Sequence, residues 1–410
     1  MCDAMAALLD GHTLFAKSSD RPPGEAQVVE WRRRRPRPSG GALRTQYLTI
    51  DDAGAGALLG SRPTWTWGLE HGLNEHGVAI GNEQIWTVDD PRLAPAALTG
   101  LDLVRLGLER ARHAEEAIAV LTGLIEAHGQ GGIADRDEHK AYFSSFLVAD
   151  GREAWALETS GRSWAAQRVD RSERGLAMSN RVSISEGWTL ASADVRAEGD
   201  FDRWRRASSP TDHADKRLAV TSPCARSADE VASPAAMAGA LRDHDGAPWG
   251  RPDDDAEPAV TPLPPPVVDR RGTGVSVCMH LSGVQATTAS MIASLPTDGG
   301  LIRTWCLLGS PCVGIFVPLF PFDAAGVVGE LSLATTWQRF RALRDRVEQA
   351  RCDDPASTAV LAAIRSVWAP LERELWEEAD AHAPADPATR AASTATIWPR
   401  IHAALLSLGV

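Results

Sequence analysis

The chain opens Met1-Cys2-Asp3. A small second residue permits removal of Met1, which would leave one residue carrying both a thiol and a free α-amine. Their unperturbed pKa values are roughly 8.5 and 8. The amine can therefore take the thiol proton near neutrality and return it to a leaving group. Met-Cys alone is weak evidence. Cys2 stands out because it leads into a patterned strand, and a frayed terminus is not built into a sheet. A nucleophile of this kind needs an orienting carboxylate, a neighbouring cation and donors for an oxyanion. The run Lys17-Ser18-Ser19-Asp20-Arg21 supplies the first two: Asp20 to bind the α-ammonium, and Lys17 or Arg21 to favour the thiolate. Its plainer alternative is a charged strand end meeting solvent. In the stretch 72–83, Gly81 allows close backbone approach to a ligand. Asn82 follows it, offering a backbone N–H and a side-chain amide to an oxyanion.

Other chemistry-bearing residues read differently. Cys278 and His280 share a face of a strand expected over 275–281, in an apolar context, and are taken as packing rather than catalysis. Asp137-Glu138-His139 lacks a distant partner, so no metal is expected. Trp65, Trp67 and Trp86 flank the Asn82 segment and are candidates to wall a substrate pocket, although most of the 14 tryptophans must serve the core.

The elements that would position these groups follow from turn residues and periodicity. Asp10-Gly11 joins strands at 4–9 and 13–17, and Asp150-Gly151 joins strands at 145–149 and 153–159. Further strands are expected at 46–50, 78–86, 164–169, 275–281 and 313–317. A helix spans 101–126 by its apolar stripe and stops at Gly129. A weaker one covers 228–242, with Ser233-Pro234 as a plausible start. Residues 245–272, rich in Pro, Asp and Gly, form a surface excursion. From 327 onward the pattern is helical, with breaks near 353–355 and 383–384. Sheets covered by helices give α+β as the fold class. The division read is a main domain at 1–326 and a helical extension at 327–410.

With 44% apolar and 23% charged residues, the 410-residue chain can bury a sizeable core. A net charge of -12 argues against nucleic acid or an anionic membrane as partner, and the basic run at 32–37 reads as a solvated edge. Six cysteines without paired spacing, and no 18-residue apolar span, fit a cytoplasmic protein.

Several blocks together resemble the secernin and dipeptidase A family of cysteine peptidases. They are Cys2-Asp3; Phe15-Ala16-Lys17-Ser18-Ser19-Asp20-Arg21-Pro22; the run 67–86; Gly100-Leu101-Asp102-Leu103-Val104-Arg105-Leu106; Gly129-Gln130-Gly131-Gly132; residues 154–159; Ser179-Asn180-Arg181; and Val277-Cys278-Met279-His280. The resemblance covers roughly residues 2–322. It implies kinship with bile salt hydrolase and penicillin V acylase, N-terminal-nucleophile hydrolases with an αββα sandwich. It further implies Cys2 as nucleophile, Asp20 as holder of its amine, Asn82 in the oxyanion hole and Asn180 as a second polar site residue. Lys17 falls where bile salt hydrolases place an arginine near the thiol. Ser18 departs from the pattern, where asparagine is expected.

The function expected is amide hydrolysis of small peptides or N-acyl amino acids through an acyl-thioester, with no cofactor. Alternatives are an acyltransferase or amidase of secondary metabolism using the same site, and a non-catalytic scaffold. The helical tail suits a homomeric interface or a lid.

Overall fold

The Asp10-Gly11 turn folds the first residues back on themselves, with Gly11 at φ 84°, where a side chain would be strained. The resulting strands are β1 (Cys2–Leu9) and β2 (His12–Arg21), almost wholly buried. Their register sets Cys2 opposite Ser19 and Ala4 opposite Lys17. Paired residues share a face and alternate residues return to it. Cys2, Ser19 and Lys17 therefore project from one side of the hairpin, and Asp3 and Ser18 from the other.

This computed structural model describes residues 1–136, 139–245, 260–323, 328–352 and 354–410. Half of the expected surface excursion (residues 246–259), the Asp137-Glu138 pair, Asp353 and the division at 326/327 lie outside the described residues. Two antiparallel sheets stack face to face. The first runs Gly175–Ser179, β1, β2, Gln285–Pro296, Arg303–Leu308, Val317–Leu319, with His280–Leu281 added to the strand Gln285–Pro296. The second runs Leu190–Ala191, Ser163–Val169, Ala154–Ser160, Phe143–Ala149, Ala79–Ile85, His71–Asn74, Leu58–Pro63, Gln27–Arg32.

Helices cover both outer faces. α1 (Gly100–Arg110) and α2 (Ala114–His128) lie on the second sheet, where Leu103, Val104, Ile118 and Leu121 share a core with Ile80, Phe146, Val148 and Leu157. Helices Thr211–Ala225 and Pro234–Leu241 cover the first sheet around β1 and β2. The carboxy-terminal helices Ala334–Gln349, Asp354–His382, Pro387–Ala395 and Ile397–Ser407 follow. Their Trp337, Phe340, Trp368 and Ile401 join the same core as Leu14, Ile292 and Leu307 of the first sheet. The layers are helix, sheet, sheet and helix, an αββα sandwich, with further helices appended.

Local differences from the sequence reading have local causes. The helix expected over 101–126 is two helices, because His113 caps the second by accepting from Glu116 N at 3.2 Å. The strand expected over 275–281 is only His280–Leu281, and that over 313–317 moves to Val317–Leu319. The central strand Gln285–Pro296 escaped reading altogether. Its small Ala, Ser and Thr residues are buried on both faces, so it carries no apolar–polar alternation.

Candidate active site

β1 delivers the Cys2 thiol into a buried space between the sheets. Its Sγ accepts from the Asp20 backbone N–H at 3.5 Å. Its backbone nitrogen donates to Asn180 Oδ1 at 2.7 Å, and its carbonyl accepts from Arg217 Nη1 at 2.9 Å. Asn180 follows the strand Gly175–Ser179, paired with β1, and Arg217 sits on the helix Thr211–Ala225 packed across both. Arg217 also reaches Asp3 Oδ2 at 2.8 Å and Asn180 Oδ1 at 2.9 Å. One guanidinium thus ties together three groups around Cys2, and its fork geometry suits that task.

On the thiol face, Lys17 is fully buried. Its ammonium donates to Ser18 O and Ser19 Oγ, both at 3.1 Å, and lies 3.7 Å from Glu70 Oε2. Ser19 Oγ is in turn 3.0 Å from His71 Nδ1. Burial opposes the Lys17 charge, but Cys2, Glu70, Glu83 and Asp20 outweigh it and hold its pKa above the ordinary value. Burial pushes the Cys2 thiol up, while Lys17 and the terminal ammonium pull it down. His71 is pushed well below its usual range by burial and by Lys17, so it is neutral. Gly81 has a use the sequence did not suggest. A Cβ there would stand 3.0 Å from Lys17 Cγ and 3.1 Å from its Cδ, so the glycine makes room for the lysine stem rather than for a ligand.

The oxyanion expectation for Asn82 is altered in one respect. Its backbone N–H is engaged by Glu70 O at 3.0 Å, which leaves only the side chain to contribute. With its nitrogen turned toward Glu70, the Asn82 amide donates to Glu70 O at 3.1 Å and Oε2 at 2.8 Å. Cys2 carries a peptide nitrogen here, still joined to Met1. Asn180 bonds that nitrogen, whereas Asp20 Oδ1 accepts from Thr287 Oγ1 at 2.7 Å and its charge acts on the terminal ammonium. Burial raises the Asp20 carboxyl to about 6, against the pull of that ammonium.

The Met1 ammonium donates to Gln285 Oε1 at 2.7 Å. Met1, Cys2, Asp20, Arg21, Glu70, Asn82, Tyr142 and Gln285 line the cleft at the thiol, whose free volume of about 20 Å³ holds roughly one water. Gln84 lines both this cleft and a separate, wider one lined by Trp86, Asp90, Arg92, Lys140 and Arg206.

Of the three tryptophans, Trp86 walls that second cleft. Trp65 Nε1 donates to Glu25 Oε1 at 2.5 Å, and Glu25 in turn holds Arg21. Trp67 lies under the Arg105 guanidinium, 3.7 Å from ring centroid to charge, away from the thiol. Arg21 binds Glu70, Tyr142 Oη and Ala134 O at the cleft rim. Arg217, Glu70, His71 and Gln285 were not singled out from sequence. Glu70 and His71 carried a signal, an acid and a base between glycines beside a strand. Arg217 carried none, on a helix of mixed polarity.

Residues 61–198 match the model of Peptidase family C69. That segment carries Asn82 and Asn180 and agrees with the resemblance to the secernin and dipeptidase A peptidases. Among solved structures, the chain is similar to penicillin V acylase from Agrobacterium tumefaciens, at 10% identity over 78% of this chain and 86% of that one, TM-score 0.38. It is similar also to the N-acylethanolamine-hydrolyzing acid amidase ortholog of Caenorhabditis elegans, at 10% identity over 59% and 86%, TM-score 0.36. A third is the C2A mutant of conjugated bile acid hydrolase from Clostridium perfringens, at 9% identity over 74% and 88%, TM-score 0.33. With the family match and the constellation built on Cys2, the protein is a cysteine hydrolase of amide bonds. No helix among the described residues is long and apolar enough to cross a membrane.

Proposed function

We propose that the protein cleaves small peptides or N-acyl amino acids through an acyl-thioester on Cys2, once residue 1 has been removed. The observation that carries this reading is that the Cys2 thiol and the nitrogen that would become its α-amine share one buried cleft. The freed amine takes the thiol proton, and the thiolate attacks the substrate carbonyl. The C–N bond breaks as that proton passes to the leaving nitrogen, and water then attacks the thioester to release the acid and restore the thiol. Lys17 offsets the charge on sulfur. To stabilise the oxyanion, the Asn82 amide would exchange one of its bonds to Glu70 for the substrate oxygen.

Substrate class is suggested by the neighbouring cleft. Arg206 beside Trp86 suits a carboxylate attached to a short, partly apolar leaving group, as in a dipeptide or an N-acyl amino acid, while Arg92 in the same cleft is paired with Asp90 at 2.6 Å. The test is a panel of dipeptides, N-acyl amino acids and their carboxamides, read by amine release. Turnover of the free acids, with at least about tenfold lower kcat/KM for the matched amides, supports the reading. Turnover only with an added amine acceptor would favour acyl transfer, and no turnover by protein with a free Cys2 amine would favour a scaffold.

A further inference from the structure

Behind the first sheet, away from the thiol cleft, four buried side chains from three segments converge. His244 follows the helix Pro234–Leu241, Cys278 and His280 flank Met279 at the start of His280–Leu281, and Cys312 lies in the loop after Arg303–Leu308. Their ligand atoms all lie within 4.8 Å of one another. His280 Nε2 is 3.5 Å from Cys278 Sγ and 3.2 Å from Cys312 Sγ. A tetrahedral zinc ion, with bonds of ~2.3 Å to sulfur and ~2.0 Å to nitrogen, sets such atoms ~3.6 Å apart. We propose that His244, Cys278, His280 and Cys312 hold a structural zinc ion.

The surroundings fix the imidazoles for this task. His280 Nδ1 is 2.9 Å from Glu348 Oε1, and His244 Nδ1 is 3.3 Å from the carbonyl of Thr261. A carbonyl can only accept, so His244 carries its proton on Nδ1, and a carboxylate favours the same tautomer in His280. His280 then turns an Nε2 lone pair toward both thiols, and with Nδ1 engaged His244 has Nε2 to offer, the arrangement seen where a metal-bound histidine is oriented from behind. Two thiolates and two neutral imidazoles balance the charge of a divalent ion, which makes their joint burial tolerable. Four protein ligands leave no open position, so the ion is structural rather than catalytic. Two soft sulfurs and two nitrogens select zinc over hard cations.

The ion would add a metal tie between segments already joined by hydrogen bonds, among them Cys278 N–H to Asp243 O and Arg242 Nε to Pro311 O, both at 3.0 Å. Glu348 belongs to the carboxy-terminal helix Ala334–Gln349. On the other side, Met279 N–H donates to Thr287 Oγ1 at 2.8 Å, and Thr287 Oγ1 donates to Asp20 Oδ1. The site is thus linked through Thr287 to Asp20, the carboxylate whose charge acts on the terminal ammonium. The sequence reading took Cys278 and His280 as packing because their two partners come from distant segments.

Elemental analysis of full-length protein, purified without chelator, tests the proposal. About one zinc per chain is expected, falling below about a tenth in Cys278→Ser and Cys312→Ser and unchanged in Cys224→Ser. Because a variant can lose metal by failing to fold, the wild type is examined as well. A thiol-modifying reagent should release its zinc to a chelating dye, and cobalt exchanged into it should show the absorption of a tetrahedral thiolate complex. Less than about a tenth of an equivalent of zinc after reconstitution would overturn the proposal. So would iron in its place, or a Cys278–Cys312 disulfide found by peptide mapping.

Discussion

Asn180 Oδ1 stands 2.7 Å from the backbone nitrogen of Cys2 and 2.9 Å from Arg217 Nη2. Two donors share one acceptor, and the Asn180 amide nitrogen is itself fixed on Gln84 O at 2.7 Å. The oxygen is therefore held in place from the second sheet while it holds a nitrogen of the first. An α-amine at that point would feel an acceptor and the Asp20 carboxylate on one side and the Arg217 charge on the other. Opposing influences of this kind keep an amine near neutrality, where it can both take and return a proton.

The first prediction concerns the amino terminus. Intact mass of active protein should lack Met1, and an uncleavable amino-terminal tag should abolish turnover where a carboxy-terminal tag does not. The tag converts the amine to an amide, removing proton transfer of roughly 10²–10⁴-fold, and fills the cleft where Met1 now lies. Equal rates for the two tagged proteins would refute the assignment.

Cys2→Ala should eliminate turnover while leaving the circular dichroism spectrum and melting temperature nearly unchanged. Cys2→Ser should keep at most a trace, because an un-ionised hydroxyl is a weak nucleophile. Retention of more than about a tenth of kcat/KM in the alanine variant corresponds to a loss under roughly 1.4 kcal/mol, and would place the nucleophile elsewhere.

Asp20→Asn should trade activity for stability in a pH-dependent way. Burial raises the Asp20 pKa from 3.8 in the unfolded chain to about 6 in the folded one. The folded state then binds more protons between those values. Its stabilising contribution is complete below 3.8 and is lost as pH rises through 6. The asparagine variant should accordingly melt above wild type at pH ~8, by up to roughly 3 kcal/mol, and converge with it near pH ~4, while kcat falls throughout. A variant less stable than wild type at the higher pH would contradict this.

Arg217→Met leaves the buried Asp3 carboxylate without its partner and should cost roughly 3–5 kcal/mol in chemical denaturation. The double variant Arg217→Met/Asp3→Asn should regain much of that stability. It should not regain turnover, because the Cys2 carbonyl and Asn180 remain without the guanidinium. Recovery of both together would show Arg217 to be purely structural.

Legibility in the sequence followed the range of the interactions. The Cys2–Lys17–Asp20 relationship lies inside one hairpin, and Asp10-Gly11 announced both the turn and the register. The Asn180 block could be quoted, but its bond to the Cys2 nitrogen depends on pairing between strands far apart in the chain. Arg217 was silent because a helix of mixed polarity gives no sign of which cation it buries. Gln285–Pro296, the strand that carries Thr287 and completes the first sheet beside β2, was missed because small residues hide periodicity when both faces are covered. Periodicity reports solvent on one side, and the innermost strands have none.

The position of Cys2 in a hairpin also orders events during folding. A turn between neighbouring strands closes in microseconds, so the thiol and Lys17 can meet early. Asn180 and Arg217, from distant segments, can arrive only when the first sheet and its covering helix have assembled. A nascent chain would then carry its cysteine beside a cation but without the groups that seat the amine. Competence for chemistry is thereby delayed until nearly the whole sandwich has closed.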